Sequence, residues 1–186
     1  MYETHAITTD NEAGIATGWL PGRLSERGRE TAADLGRRRS DDGLAAIFVS
    51  DLERAVETVR IAFEDDAGDA IPVVVDARLR ECNYGRLNGM PRERLDTERG
   101  AHINEPWPGG ESYRDVVDRT AAFLDTLVET FDERRVLIVA HSANKVALDY
   151  LLGGADLAEA LRRPLEWQPG WEYLVAREWR RSTSAR

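Results

Sequence analysis

The segment Val136-Leu137-Ile138-Val139-Ala140-His141-Ser142 decides the reading: five continuous apolar residues, three of them β-branched, stop on a histidine and a serine. An unbroken apolar run of this length predicts a strand buried on both faces, as in a parallel sheet covered by helices on each side. Ala45-Ala46-Ile47-Phe48-Val49 and Ile71-Pro72-Val73-Val74-Val75 have the same character. Helical patterns lie between and after these runs. Residues 26–39 carry Ala32, Ala33 and Leu35 behind Ser25, and residues 51–64 carry Ala55, Val56, Val59, Ala62 and Phe63 behind Ser50, with Glu53 completing a capping box. Residues 113–131 place Val116, Val117, Ala121, Leu124, Leu127, Val128 and Phe131 on one stripe after Ser112. Residues 143–152 form a fourth helix, with Gly153 as a left-handed stop.

Strands alternating with capped helices predict a three-layer α/β/α sandwich with a mostly parallel central sheet. The 186 residues suit a single domain over 1–186. A loop-rich insertion at about 84–112 carries Gly85, Gly89, Pro91, Gly100, Pro106, Pro108, Gly109 and Gly110, and an insertion of that length is functional or mobile. The tail from Glu172 to Trp179 alternates as an antiparallel edge strand does. Only four residues precede His5, so the first strand is either minimal or begins upstream of the given start.

Composition narrows the function classes. A formal net charge of −9 opposes a nucleic-acid partner, because such binding gathers Lys and Arg on one face. The basic stretches Arg37 to Arg39 and Arg177 to Arg186 fall at a helix C-terminus and at the chain end. No window approaches a membrane span, and Met1 to Asp10 lacks the basic and apolar segments of an export signal, so a cytoplasmic location without a membrane partner is expected. Cys82 is the single cysteine; no intrachain disulfide can form, and the residue six beyond it is Asn88, not the arginine of a cysteine phosphatase. The tryptophan-rich C-terminal region, with Trp167, Trp171 and Trp179, offers an interface for a homodimer.

In an open α/β sheet, ligands bind beyond the carboxyl ends of the strands. His5, Ser50 to Arg54, Glu81, His141 and Ser142 all follow predicted strands, so two histidines, an arginine and a glutamate converge on one rim. That set suits phosphoryl transfer from a monoester. A neutral imidazole attacks phosphorus, Arg54 forks onto phosphoryl oxygens, helix N-termini add donors, and Glu81 holds a proton for the departing alkoxide. The scheme requires no metal and no cofactor.

At this point the chain resembles the histidine phosphatase (phosphoglycerate mutase-like) superfamily. Members typically open with Arg-His-Gly-Glu-Thr-x-x-Asn, and here Thr4-His5-Ala6-Ile7-Thr8-Thr9-Asp10-Asn11 keeps His5, Thr8 and Asn11 at that spacing. In family order follow Thr17-Gly18-Trp19, Leu24-Ser25-x-x-Gly28, Ser50-x-Leu52-x-Arg54-Ala55-x-x-Thr58, Leu79-Arg80-Glu81-x-x-Tyr84-Gly85, Pro108 to Ser112 and Val139-Ala140-His141. The resemblance implies His5 as nucleophile and Glu81 as proton donor. It implies Arg54 and His141 as ligands of the phosphoryl group, with Asn11, Thr17, Gly18 and the backbone at Ser142 lining the phosphate site.

Two positions depart from the pattern, Thr4 for the arginine and Ala6 for the glycine. One missing phosphate-clamping guanidinium is worth a few kcal/mol, on the order of 10²-fold in rate. The expectation is a phosphatase acting on a phosphorylated small molecule through a phosphohistidine. The alternatives are a cofactor-dependent phosphoglycerate mutase and a catalytically weak or silent binding protein. Because mutases of this family are usually longer, the length favours the hydrolase.

Overall fold

The structure, a computed structural model, describes residues 1–63, 71–164, 168–177 and 179. In chain order the elements are β1 (Tyr2–Thr4), α1 (Thr9–Glu12), β2 (Ile15–Ala16), α2 (Glu26–Arg39), β3 (Ala46–Val49), α3 (Glu53–Phe63) and β4 (Val73–Val75). After them come β5 (Met90–Pro91), α4 (Arg92–Glu98), α5 (Tyr113–Thr130), β6 (Val136–Ala140), α6 (Ser142–Leu151) and α7 (Leu157–Arg162), with short 3₁₀ turns at Ala77–Leu79, Gly85–Leu87 and Arg99–His102.

The main sheet has the order β1-β6-β3-β4, and every pairing in it is parallel. Alternation along β3 and β6 divides the core. Ile47, Val49, Leu137 and Val139 pack with Leu35 of α2 and Ala55 and Val59 of α3, whereas Phe48, Val136, Ile138 and Ala140 pack with Phe123, Leu124 and Leu127 of α5 and Leu148 of α6. Both faces of β6 are therefore covered, which is why its residues are apolar without interruption. The result is the three-layer α/β/α sandwich with a parallel centre.

Capping chemistry sets the helix starts. Ser25 Oγ accepts from Gly28 N and Ser112 Oγ from Asp115 N, the latter in a reciprocal capping box. Gly28 is required by close approach, because a Cβ there would overlap the Ile7 carbonyl in the loop after β1. The third helix departs from expectation: it begins at Glu53, and Ser50 Oγ accepts from Leu52 N at 3.3 Å while facing His141. Past α6, the left-handed residue is Gly154, with φ 68°, instead of Gly153.

Two larger expectations are corrected, and a third stretch holds more regular structure than its composition suggests. The run Ile71 to Val75 does not form a strand buried on both faces; β4 is the sheet edge, with Val73, Val74 and Val75 exposed by 49%, 40% and 54%. An apolar run identifies a strand but not its lateral place. Among the described residues the tail from Glu172 forms no edge strand: Trp171 bridges Tyr2, and Trp171, Tyr173 and Val175 pack on the core formed by Tyr2 and Leu148. Its alternation serves packing instead of a ladder. Finally, the 84–112 stretch is largely ordered into turns, β5 and α4, and β5 pairs antiparallel with β2. Tyr84, Met90, Leu95 and Trp107 form a second core with Tyr113, Val116, Val117 and Ala147. His102 stacks on Trp107 with ring centroids 3.6 Å apart. Trp167 lies outside the described residues.

The two strand environments make a measurable contrast. Leu137→Ala, at a fully buried position of β6, is expected to cost about 2–5 kcal/mol. Val74→Ala on the exposed edge costs about 0.5 kcal/mol or less, and urea unfolding of both variants checks the difference.

Candidate active site

Four segments bring the polar side chains together at the carboxyl end of the sheet. His5 follows β1, and its N–H continues the β1–β6 ladder by donating to Ala140 O at 2.9 Å. His141 follows β6, and Ser50 follows β3 with its N–H on Val139 O at 3.2 Å. Arg54 is the second residue of α3. Thr58, one turn further along α3, takes the Ala6 N–H on its Oγ1 at 3.0 Å and donates to Arg54 O at 2.7 Å, tying the histidine loop to that helix.

Arg54, with 2% of its surface exposed, occupies the centre. Its Nε donates to His5 Nε2 at 3.2 Å, and Nη2 donates to Gly18 O at 2.9 Å and His141 Nδ1 at 3.2 Å. A guanidinium has no acceptor, so both facing imidazole nitrogens must be unprotonated. The protons then sit on the opposite nitrogens. His5 Nδ1 donates to Ala6 O at 2.7 Å, and His141 Nε2 donates to Ser50 Oγ at 2.8 Å.

Burial, followed by the Arg54 charge, pushes the His5 pKa down to about 3, against an opposing hydrogen bond to Ala6 O. The same two causes, with His5 itself third, hold His141 well below its ordinary value. Both rings are thus neutral near pH 7, 5.0 Å apart between centroids. A neutral Nε2 carries the lone pair that a nucleophilic imidazole uses.

Glu81 is 7% exposed. Its Oε1 accepts from Cys82 N at 2.8 Å and Ala143 N at 3.2 Å, and its Oε2 from Ser142 Oγ at 2.9 Å. Its backbone is fixed as firmly. The Glu81 carbonyl accepts from Trp19 Nε1 at 2.7 Å and from Arg119 Nη2 at 2.9 Å, and Arg119 Nη1 also reaches the carbonyls of Arg78 and Arg80.

His5, Asn11, Thr17, Gly18, Arg54, Glu81 and Ser142 all line one cavity of about 310 Å³, joined by Thr4, Tyr84 and Arg92. Asn11 Oδ1 accepts from Thr8 N at 3.1 Å, and its amide nitrogen remains as a donor. Thr17 is less available, because its Oγ1 donates to Asp10 Oδ2 at 2.8 Å. At Gly18, with φ 57°, a Cβ would overlap Asn88 and Tyr84, so only glycine lets the backbone present its carbonyl to Arg54. His141 differs from the others. It is fully buried, its Nδ1 against Arg54 and its Nε2 against Ser50, and it is not among the residues lining the cavity.

Sequence reasoning missed Arg119 and the pairing of Ser50 with His141. Arg119 left one signal: it stands on the apolar stripe of α5, three residues after buried Val116 and four before buried Phe123, where a charge needs buried acceptors. Among the described residues no group of three or more His, Cys, Asp or Glu is placed to hold a metal ion.

The family model described as histidine phosphatase superfamily (branch 1) matches residues 4–171. A 2,3-bisphosphoglycerate-dependent phosphoglycerate mutase of Methylobacterium sp. (strain 4-46) is 31% identical over 162 residues, covering 81% of this chain and 78% of its own. Among solved structures, Bacillus stearothermophilus YhfR superposes with a TM-score of 0.77 at 28% identity, over 90% of this chain and 86% of that one. A mycobacterial glucosyl-3-phosphoglycerate phosphatase gives 0.73 at 28% identity, over 86% and 84%.

The neutral His5 has a stability consequence with a definite sign. Its folded pKa of about 3 lies below the ordinary 6.5, so the unfolded chain binds more protons between those values. Its contribution is complete above pH 6.5 and is lost as pH falls toward 3. Acidifying from pH 7 to 5 is expected to cost about 1–2 kcal/mol through His5 alone. Urea unfolding at both pH values checks this, with His5→Gln showing the smaller loss.

Proposed function

This chain belongs to the histidine phosphatase superfamily, and from that premise we propose that it hydrolyses a small-molecule phosphate monoester through a phosphohistidine on His5. The observation that carries the reading is the unprotonated Nε2 of His5, held 3.2 Å from the Arg54 guanidinium at the cavity wall. A phosphoryl group entering the cavity offers Arg54 anionic oxygens in place of neutral acceptors, and charge-assisted bonds are roughly twice as strong. Arg54 then leaves the His5 lone pair free to attack phosphorus in line.

Glu81, lining the same cavity, protonates the departing oxygen and in the second half-reaction removes a proton from the water that cleaves the phosphohistidine. Ser142 Oγ is suited to both states of that carboxyl group, because a hydroxyl donates to the carboxylate and accepts from the acid. Asn11 and the backbone at Gly18 and Ser142 complete the phosphate site. His141 acts from behind, fixing Arg54 and keeping it charged against a neutral ring. Thr4 in the cavity wall leaves the clamp with a single buried guanidinium.

A second reading, a phosphoglycerate mutase-type phosphotransferase, is supported by the mutase relatives. It shares the phosphohistidine and differs in the acceptor, a second substrate oxygen instead of water. Phosphate release from a panel of monoesters, beside an assay for isomerisation of 3-phosphoglycerate, separates the two. Isomerisation without phosphate release overturns the hydrolase.

In the same panel His5→Ala is expected to abolish turnover and Thr4→Arg to raise it by about 10-fold or more. Turnover by no variant, in folded protein that does not become phosphorylated on His5, would make this a binding protein. Ser142→Ala is expected to lower kcat by about 5-fold, the worth of one hydrogen bond, and more for alkyl than for aryl esters, because only poor leaving groups need the proton of Glu81.

A further inference from the structure

Beside the catalytic cavity lies a larger one of about 530 Å³, bounded by α4, α6, α7 and the segment around Trp171, and sharing the walls Arg92, Leu95 and Ser142 with it. We propose that this second cavity receives the leaving group of the ester, and that this leaving group carries a second anionic group, a carboxylate or a phosphate. The inference rests on the phosphoryl-transfer reading of the first cavity and extends it to a substrate class.

Charge is the first argument. The chain has a formal net charge of −9, yet among the described residues Arg92, Arg99, Lys145 and Arg163 line this cavity against one lining carboxylate, Asp149. That carboxylate is already engaged. Asp149 pairs with Lys145 at 2.5 Å and accepts from Tyr173 Oη at 2.7 Å, so Lys145 and Asp149 offset each other. Three arginines remain. Among the described residues Arg92 and Arg99 share a single counter-ion outside the cavity lining, Asp96, whose Oδ1 lies 3.2 and 3.4 Å from them. Arg163 meets Glu159 at 2.5 Å on the exposed rim.

Hydrogen bonding is the second argument. Arg99 is 15% exposed in its side chain, and its Nε–H is buried with no acceptor among the described residues. A buried guanidinium N–H left open is rare and marks a place where an acceptor from outside belongs. Shape agrees with both. Leu95, Tyr113, Leu161 and Trp171 offer apolar wall for a carbon body, the volume is that of a small-molecule site, and the shared wall at Ser142 places the entrance next to Glu81, where the leaving oxygen must depart.

The test compares pairs of alkyl phosphates of equal length, one ending in a carboxylate or second phosphate and one in a neutral methyl ester or hydroxyl. Wild type is expected to prefer the charged member in kcat/KM by more than 10-fold at the favoured chain length. The ratio should fall several-fold or more in Arg99→Gln, and also in Arg163→Glu, whose exposed position leaves folding intact. Matching phosphonates, which cannot turn over, give the same comparison as dissociation constants by calorimetry.

Equal kcat/KM for the two members of every pair, or a preference untouched by both substitutions, overturns the inference while His5-dependent hydrolysis stands. If no ester is turned over, the phosphonate ratio still decides the anion site, and it is the catalytic reading that falls. A preference for the carboxylate only, or for the second phosphate only, identifies which anion the arginines accept.

Discussion

A buried charge is tolerated only when nearly every donor it carries is satisfied, and Arg54 is the group on which this site is built. Its partners come from separate segments: His5 after β1, Gly18 and Leu20 in the loop before α2, and His141 after β6. Each of these pieces must be in place before the guanidinium is solvated by protein instead of water. The same requirement fixes the protonation of both imidazoles, because a donor on one side forces the proton to the other. The placement of the loops after β1 and β6 and the tautomers of both imidazoles are in this way consequences of one hydrogen-bonded cation.

The Glu81 side of the cavity is held by a second arginine in a different manner. Arg119 reaches across from α5 to three carbonyls, of Arg78, Arg80 and Glu81, and to the Glu111 carboxylate. It fastens backbone, whereas Arg54 gathers two imidazole side chains. Glu81 therefore extends from a rigid strip of chain, and its oxygens meet two backbone N–H groups and the Ser142 hydroxyl. An acidic protein thus places its few buried cations at points of leverage. Most of the remaining negative charge is on the outside, where water screens it.

The 84–112 stretch illustrates how a glycine- and proline-rich sequence can be ordered. Gly85 and Gly110 let backbones touch, with Arg86 N on Pro108 O at 3.0 Å and Glu111 N on Asn83 O at 2.8 Å, and Trp107 fills the space beneath. The stretch forms the wall between two cavities. Arg92 lies at the junction because β5 pairs with β2 and delivers α4 there.

Local pattern determined a large part of this protein. The runs at 45–49 and 136–140, the capping serines Ser25 and Ser112, and the ordered motifs from His5 to His141 specified a parallel α/β sandwich with a reactive rim, since burial on both faces and helix capping are properties of neighbouring residues. Tertiary structure alone decided the rest. It set Val73 to Val75 at an edge, turned the apolar tail into packing, set His141 against Arg54, assigned Ser50 to that histidine, and brought Arg99 to a cavity shared with α6 and α7. Lateral strand order, the partner of a buried donor and the shape of a cavity depend on groups distant in the chain, and no short-range periodicity encodes them.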